Sequence, residues 1–202
     1  MRLEANHVFF HYGKRQILQD ISFAVEEGER VGLIGPSGCG KTTLSRLLAG
    51  YLMPHAGQIL WDGKPLPQKG YCPVQMIHQH PENAVNPMWK LQKTLAEAWT
   101  PEPEFLKAMG IETAWLHRWP NELSGGELQR FCIARALGSQ TKLIIADEMT
   151  TMLDVITQAQ IWNMLLDVVE QRKLGLIVVT HNRALAHRVC SSIVDFDGIN
   201  GV

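Results

Sequence analysis

Two residue strings in this chain could do chemistry on a phosphate. The first is Gly35-Pro36-Ser37-Gly38-Cys39-Gly40-Lys41-Thr42-Thr43. Its glycines let the backbone wrap an anion so that successive N–H groups point inward, and the lysine adds a charge that can follow the phosphates. The string comes after the apolar run Val31-Gly32-Leu33-Ile34 and opens a stretch with helical character. That strand-to-helix setting would also aim a helix N-terminus at the anion. Lys41 is expected to reach the β- and γ-phosphates of a nucleoside triphosphate, and the Thr42 hydroxyl to ligate Mg²⁺. Gly35, Pro36, Ser37, Gly38, Cys39, Gly40 and Thr43 complete the expected cradle. The second string is Leu143-Ile144-Ile145-Ala146-Asp147-Glu148, four apolar residues running into two acids. A buried strand ending this way sets a carboxylate at the edge of a sheet. Alone it would equally suit a strand followed by a solvated acidic turn. With the cradle upstream, Asp147 is expected to hold Mg²⁺ through its water shell and Glu148 to act as general base on the attacking water.

A third string, Leu123-Ser124-Gly125-Gly126-Glu127-Leu128-Gln129-Arg130, places a serine at a helix N-cap position. Capping explains Ser124 but not two glycines in the first turn, where each costs about 1 kcal/mol relative to alanine. Close approach to an anion is one reason to keep them. Taken together, the three strings resemble the ATP-binding cassette ATPases, and the likeness runs over nearly the whole chain. The eight residues of the third string are its most specific part.

The resemblance implies that two cassettes stack head to tail around two ATP molecules. Each site would join the Lys41 loop of one chain to Ser124, Gly125 and Gly126 of a second, homologous ATPase subunit, identical or not. His181 resembles the switch histidine that contacts the γ-phosphate. Gln79 resembles the glutamine that senses Mg²⁺ and the attacking water. Tyr12 stands where the family places a ring that stacks on adenine, although Phe9 or Phe10 could be that ring and all three could be core. Asp154 matches the loop that crosses the dimer interface. Met149 replaces a usual proline in that loop, and Met152 a usual small residue.

The expected fold class is α/β: a P-loop nucleotide-binding core with a mixed, mainly parallel sheet, an N-terminal antiparallel β subdomain and an inserted helical subdomain. Residues 3–10, 16–25, 30–34, 58–61, 74–78, 142–146, 176–180 and 192–196 read as strands from their β-branched and aromatic content and their turn punctuation. Residues 41–49, 90–99, 102–109, 125–137 and 155–171 read as helices. The whole of 1–202 is expected to be one ATPase domain. Residues 1–80 and 140–202 would form the core, and about 81–139 the helical subdomain.

A length of 202 residues, 46% of them hydrophobic and 19% charged, suits an ordinary globular domain. The net charge of −1 offers no bulk field for nucleic acid, and no nucleic-acid partner is expected. The first residues lack the apolar stretch of a secretory signal, and the four scattered cysteines suggest reduced thiols. Gln79-His80-Pro81 followed by Asn86-Pro87 looks like the peptide and nickel importer branch of the family. The branch implies transmembrane permease subunits, an extracytoplasmic solute-binding protein and a peripheral location on the cytoplasmic face of the cell membrane. The cargo would be a peptide, nickel or a metal chelate. Three other readings compete: a soluble cassette ATPase, a small-molecule P-loop kinase, and a subunit that binds ATP without turnover. The first would need a long coiled-coil insert or a second cassette, and the second leaves the third string unexplained. Intact Glu148 and His181 stand against the last.

Overall fold

A computed structural model describes residues 1–201. Two sheets carry the chain. One is antiparallel, ordered β2 (Arg15–Glu26), β1 (Arg2–Tyr12), β4 (Ala56–Trp61), β5 (Lys64–Pro65). The other has the order β6 (Val74–Ile77), β7 (Leu143–Asp147), β8 (Gly175–Thr180), β3 (Arg30–Ile34), β9 (Ser192–Asp195), and its ladders are all parallel.

Parallel strands joined by helices are covered on both faces, so they tolerate runs of apolar residues that an alternating surface strand would not. Every residue of β7 and of β8 is buried. The helices are α1 (Lys41–Leu48), α2 (Leu91–Ala96), α3 (Pro103–Ala108), α4 (Gly125–Ala136), α5 (Val155–Arg172), α6 (Arg183–Val189) and α7 (Phe196–Ile199). Helix α5 connects the adjacent parallel strands β7 and β8. Between β6 and β7 the described chain holds only α2, α3, α4 and three 3₁₀ turns. Helices expected over 90–99 and 102–109 are shorter than their sequence pattern, as Leu91–Ala96 and Pro103–Ala108. Pro101 bars the helical region to Thr100, and Pro103 has no N–H to give, so the helix can only start there.

Two cores sandwich the parallel sheet. One gathers Leu91, Phe131, Ile133, Ile144, Ile161 and Leu165; the other gathers Leu18, Ile21, Leu33, Leu44, Leu47 and Ile145. The antiparallel sheet reaches the second core through a change of parity. In β1 the inward residues are Leu3 and Ala5, then Val8 and Phe10. The pairing register shifts between Ala5 and Val8, so β1 carries one extra residue there, and His7 takes φ +50°. Strand β2 answers with an extra residue between Ile21 and Leu18, where Asp20 takes φ +54°. The two bulge residues bond to each other, His7 Nδ1 to Asp20 Oδ1 at 2.7 Å. Each bulge turns the following side chains to the opposite face, and together they restore the register.

Strand β4 meets the same bulge at Gly57, φ +80°, where a Cβ would fall on the His7 carbonyl oxygen. Gly57→Ala should therefore cost more than about 2 kcal/mol, since left-handed strain and a backbone clash coincide. Gly63, φ +73°, has nothing within 4 Å of its virtual Cβ, so Gly63→Ala should cost only about 1 kcal/mol. Urea denaturation of the two variants side by side measures the difference.

Candidate functional site

Strand ends build the site. Ile34 of β3 lies level with Thr180 of β8, and Asp147 of β7 lies level with Val179. The segments that follow, beginning at Gly35, Glu148 and His181, therefore leave the carboxyl edge of one sheet side by side. Crevices at that edge are where open α/β sheets take ligands.

The loop from Gly35 to Gly40 climbs from β3 into α1, with Gly38 at φ +82° and Gly40 at φ +115°. Gly40 has a second requirement: a Cβ would press on Leu18 Cδ2 and Ile17 Cγ2 at 3.0 and 3.1 Å. Lys41 is buried, and its ammonium is held by the carbonyl oxygens of Gly35 at 2.8 Å and Pro36 at 2.7 Å. Cys39 Sγ is 3.7 Å away, so the cysteine packs inside the loop. Two neutral carbonyls bind an ammonium less strongly than phosphate oxygens would, so an arriving phosphate could displace them. Ser37, Gly38, Gly40, Lys41, Thr42 and Thr43 share one cavity of about 420 Å³ with Gln79 and Glu148.

Asp147 is 5% exposed, and its Oδ1 has no hydrogen-bond partner. Burial raises its carboxyl above the ordinary aspartate range, while the Thr42 hydroxyl bonded to it pulls the other way. A buried carboxylate with a vacant oxygen and a neighbouring hydroxyl is a hard-oxygen donor set suited to Mg²⁺. Asp147 and Thr42 would hold the ion, which would supply charge neutralisation for the phosphates.

Glu148 begins the next turn at φ +46°, with its N–H on the Val179 carbonyl at 3.0 Å. Its carboxylate is bracketed. His181 Nδ1 lies 3.1 Å from Oε1, and Gln79 Nε2 lies 3.5 Å from Oε2. Two residues far apart in the chain thus converge on one carboxylate, which with Gln79 lines the cavity. Such an arrangement can orient a water and take its proton.

The Ser124 string is elsewhere. Ser124 caps α4 as half of a capping box: its Oγ accepts from Glu127 N at 3.3 Å, and Glu127 Oε2 accepts from Ser124 N at 2.8 Å. Ser124, Gly125 and Gly126 line a second cavity with Leu153, Asp154 and Thr157. None of the three lines the Lys41 cavity. Gly126 also has a packing reason that the sequence did not disclose, because a Cβ there would meet Thr157 Cγ2 at 2.8 Å. Asp154 caps α5, accepting from Ile156 N and Thr157 N at 3.0 Å each and from Thr157 Oγ1 at 2.6 Å. The Thr157 hydroxyl is the main cause of its lowered carboxyl pKa.

Of the three candidate rings, Phe10 is buried in the core. Tyr12 is 47% exposed and stands edge-on to Phe10, with ring centroids 4.9 Å apart. Tyr12 lies outside the cavity lining. The residues there are its cross-strand pair Arg15 and the next inward residue, Ile17. Sequence reading misses both, because nothing local in Arg-Gln-Ile marks a cavity wall. It also misses Thr151, whose Oγ1 receives Gln79 Nε2 at 3.0 Å.

Residues 18–151 match the family model for ABC transporters. The chain belongs to the ABC transporter family. It is an ATP-binding cassette ATPase, and its expected α/β fold is the fold of the family. It is 35% identical to the nickel import ATP-binding protein NikE of Escherichia coli (strain K12), over 92% of this chain and 77% of that protein. It is also 35% identical to the nickel import system ATP-binding protein NikE of Staphylococcus aureus (strain bovine RF122 / ET3-1), over 95% of this chain and 85% of that protein. Among solved structures, the dimeric cassette MJ0796 superposes with a TM-score of 0.78 at 25% identity, covering 96% of this chain and 93% of that one. The same cassette in a post-hydrolysis state bound to ADP and Pi gives 0.79 at 25% identity, with the same coverage.

Asp147→Asn should raise the melting temperature of the nucleotide-free cassette. Burial penalises the charged form, so the penalty is full above the raised folded pKa and fades as pH falls through it. The gain should be about 2–4 °C at pH 7 for each kcal/mol released, and it should shrink on acidification. The same variant should lose the additional stabilisation that Mg²⁺ gives over nucleotide alone. Thermal melts across pH, with and without MgATP, check both effects.

A second substitution tests the packing requirement at Gly126. Gly126→Ala should destabilise the isolated chain, and adding Thr157→Ser, which removes the clashing methyl group, should recover most of the loss in denaturant titrations.

Proposed function

We propose that this cassette is the ATPase subunit of an importer and turns over MgATP at the interface of a head-to-tail dimer. In this reading residues 1–202 form one ATPase domain, with about 81–139 as its helical subdomain. Gly35 to Thr43 cradle the phosphates, and Thr42, Asp147 and Gln79 hold Mg²⁺. Glu148 draws the proton from the attacking water while His181 steadies the γ-phosphate, and Tyr12 stacks on adenine. Ser124, Gly125 and Gly126 serve the neighbouring subunit's ATP.

The observation that carries the reading is the separation of two half-sites in one chain. Glu148, Gln79 and Lys41 line one cavity and His181 reaches the Glu148 carboxylate at 3.1 Å, whereas the Ser124 string lines another with Asp154. A nucleotide in the first cavity therefore lacks the Ser124 string until a second cassette brings it.

Among the described residues, no helix is long and apolar enough to cross a membrane. Permease subunits would supply the spans, and the cassette would sit against them on the cytoplasmic side. The surface around residues 79–89 is our candidate for the permease contact, with Trp89 ordered there by Lys93, whose Nζ is 4.1 Å from its ring centroid. The relatives carry nickel import in their names, and nickel, a metal chelate or a peptide is the proposed cargo, delivered by a separate solute-binding protein.

Glu148→Gln should trap an ATP-bound dimer visible by light scattering, with hydrolysis reduced by about 10²-fold or more. Lys41→Ala should abolish ATP binding in calorimetry. A Glu148→Gln chain that stays monomeric with saturating ATP would overturn the reading.

A further inference from the structure

The carboxamide of Gln79 has two ends of similar shape and opposite chemistry, an NH₂ that donates and an oxygen that accepts. To present its oxygen to the nucleotide cavity, the NH₂ must be held elsewhere. We propose that Thr151 is the positioning residue that holds it: the Thr151 hydroxyl fixes the orientation of the Gln79 carboxamide, so that Oε1 is the end left facing the cavity.

The hydroxyl can do this because its own proton is committed. Thr151 Oγ1 donates to the Glu148 carbonyl at 3.1 Å, leaving only lone pairs toward Gln79, whose Nε2 donates to them at 3.0 Å. Turning the carboxamide over would set its oxygen against those lone pairs unless the hydroxyl abandoned Glu148. The turned oxygen would also face Glu148 Oε2, now 3.5 Å from Nε2. Both neighbours therefore favour one orientation. Glu148 Oε2 alone is too distant to enforce it, and that side chain also answers to His181 at 3.1 Å.

Thr151 stands on a fixed turn. Its backbone N–H donates to the same Glu148 carbonyl at 3.2 Å. The preceding Thr150 hydroxyl accepts from the indole N–H of Trp162 at 3.1 Å, and both Thr150 and Trp162 are buried. The turn that carries Glu148 thus also carries the group that aims Gln79. The kinetic consequence rests on the ATPase reading above, while the orientation of the amide does not.

The test uses the full chain labelled with ¹⁵N, with the Gln79 side-chain amide assigned by its loss in Gln79→Ala. In the native protein and in Thr151→Ser, its two N–H resonances should be well separated and protected from exchange. In Thr151→Val, which keeps the shape and loses the hydroxyl, they should collapse toward solvent-averaged positions. In parallel, kcat for ATP should fall ~3- to 10-fold in Thr151→Val, the range expected for one lost hydrogen bond, with KM within about twofold of native. Thr151→Ser should restore it. Thr151→Ala serves the same purpose if the valine variant fails to fold. The proposal is overturned if the Gln79 amide is unmoved without the hydroxyl, or if Thr151→Ser is as slow as Thr151→Val. A native chain with no ATP turnover would count against the proposed function, and the amide resonances would then decide the positioning role alone.

Discussion

A carboxylate buried at the end of a parallel strand is the constraint on which the rest of this molecule depends. Asp147 cannot be stabilised by water, being 5% exposed, and one of its oxygens finds no donor in the protein. An ionised acid in such a place needs a cation or must become neutral. The fold meets that need by geometry. The parallel sheet ends three strands at one edge, so the loop carrying Lys41 and Thr42 rises beside Asp147. Mg²⁺ and a triphosphate would complete the balance of charge: the metal would answer Asp147, and the phosphates would answer Lys41 and the loop N–H groups. Burial of Asp147 penalises its ionised form, and a cation bound together with the nucleotide would relieve that penalty.

Glu148 shows how the next step is kept rigid. A non-glycine residue at φ +46° is strained, and such strain persists only where neighbours over-determine it. Here the N–H bonds to Val179, the carbonyl receives both the N–H and the hydroxyl of Thr151, Trp162 grips Thr150, and Asp154 ends the loop by capping α5. The family's usual proline at position 149 is absent from these restraints. Met149 is instead buried at 2% exposure, so packing and hydrogen bonds supply the stiffness that a ring would otherwise give. Met152 differs, with 66% of its surface exposed beside the cavity that Ser124 and Gly125 line.

Features written into neighbouring residues were legible in the sequence. The phosphate loop, the apolar run ending in Asp147 and the capped Ser124 helix depend on local spacing, and each lies in the element its pattern indicates. Features created by the meeting of distant segments were not. The paired bulges at His7 and Asp20 arise because two strands exchange parity, and neither residue is unusual alone. Arg15 and Ile17 become cavity wall only because the hairpin leans on Gly40. Gly126 has a packing requirement that its own string does not reveal, because the methyl group of Thr157 excludes a Cβ there. Helix α6 is a different case. Asn182 caps it through Leu185 N at 3.1 Å, and an asparagine before Arg-Ala-Leu-Ala is a readable start signal. The helices expected from the sequence end at residue 171 and do not include α6.

The surface around the second half-site bears on why such a chain would pair. Val155 and Ile156, 81% and 71% exposed, open α5 directly after the Asp154 cap, and Met152 stands just before it. Leaving three large apolar side chains in water forfeits burial worth about 1.5–3 kcal/mol each when complete. They adjoin Leu153 and Asp154, which share a cavity with Ser124 and Gly125. A partner stacked head to tail would cover apolar groups and bring its phosphates to the capped helix in one motion. ATP would then act in a defined physical way in the proposed dimer, because its phosphates would supply an anion to the α4 N-terminus and the glycines. The apolar rim adds an attraction that needs no nucleotide. In the proposed dimer the balance between the two would set whether it opens after hydrolysis, because loss of the γ-phosphate would remove only the first.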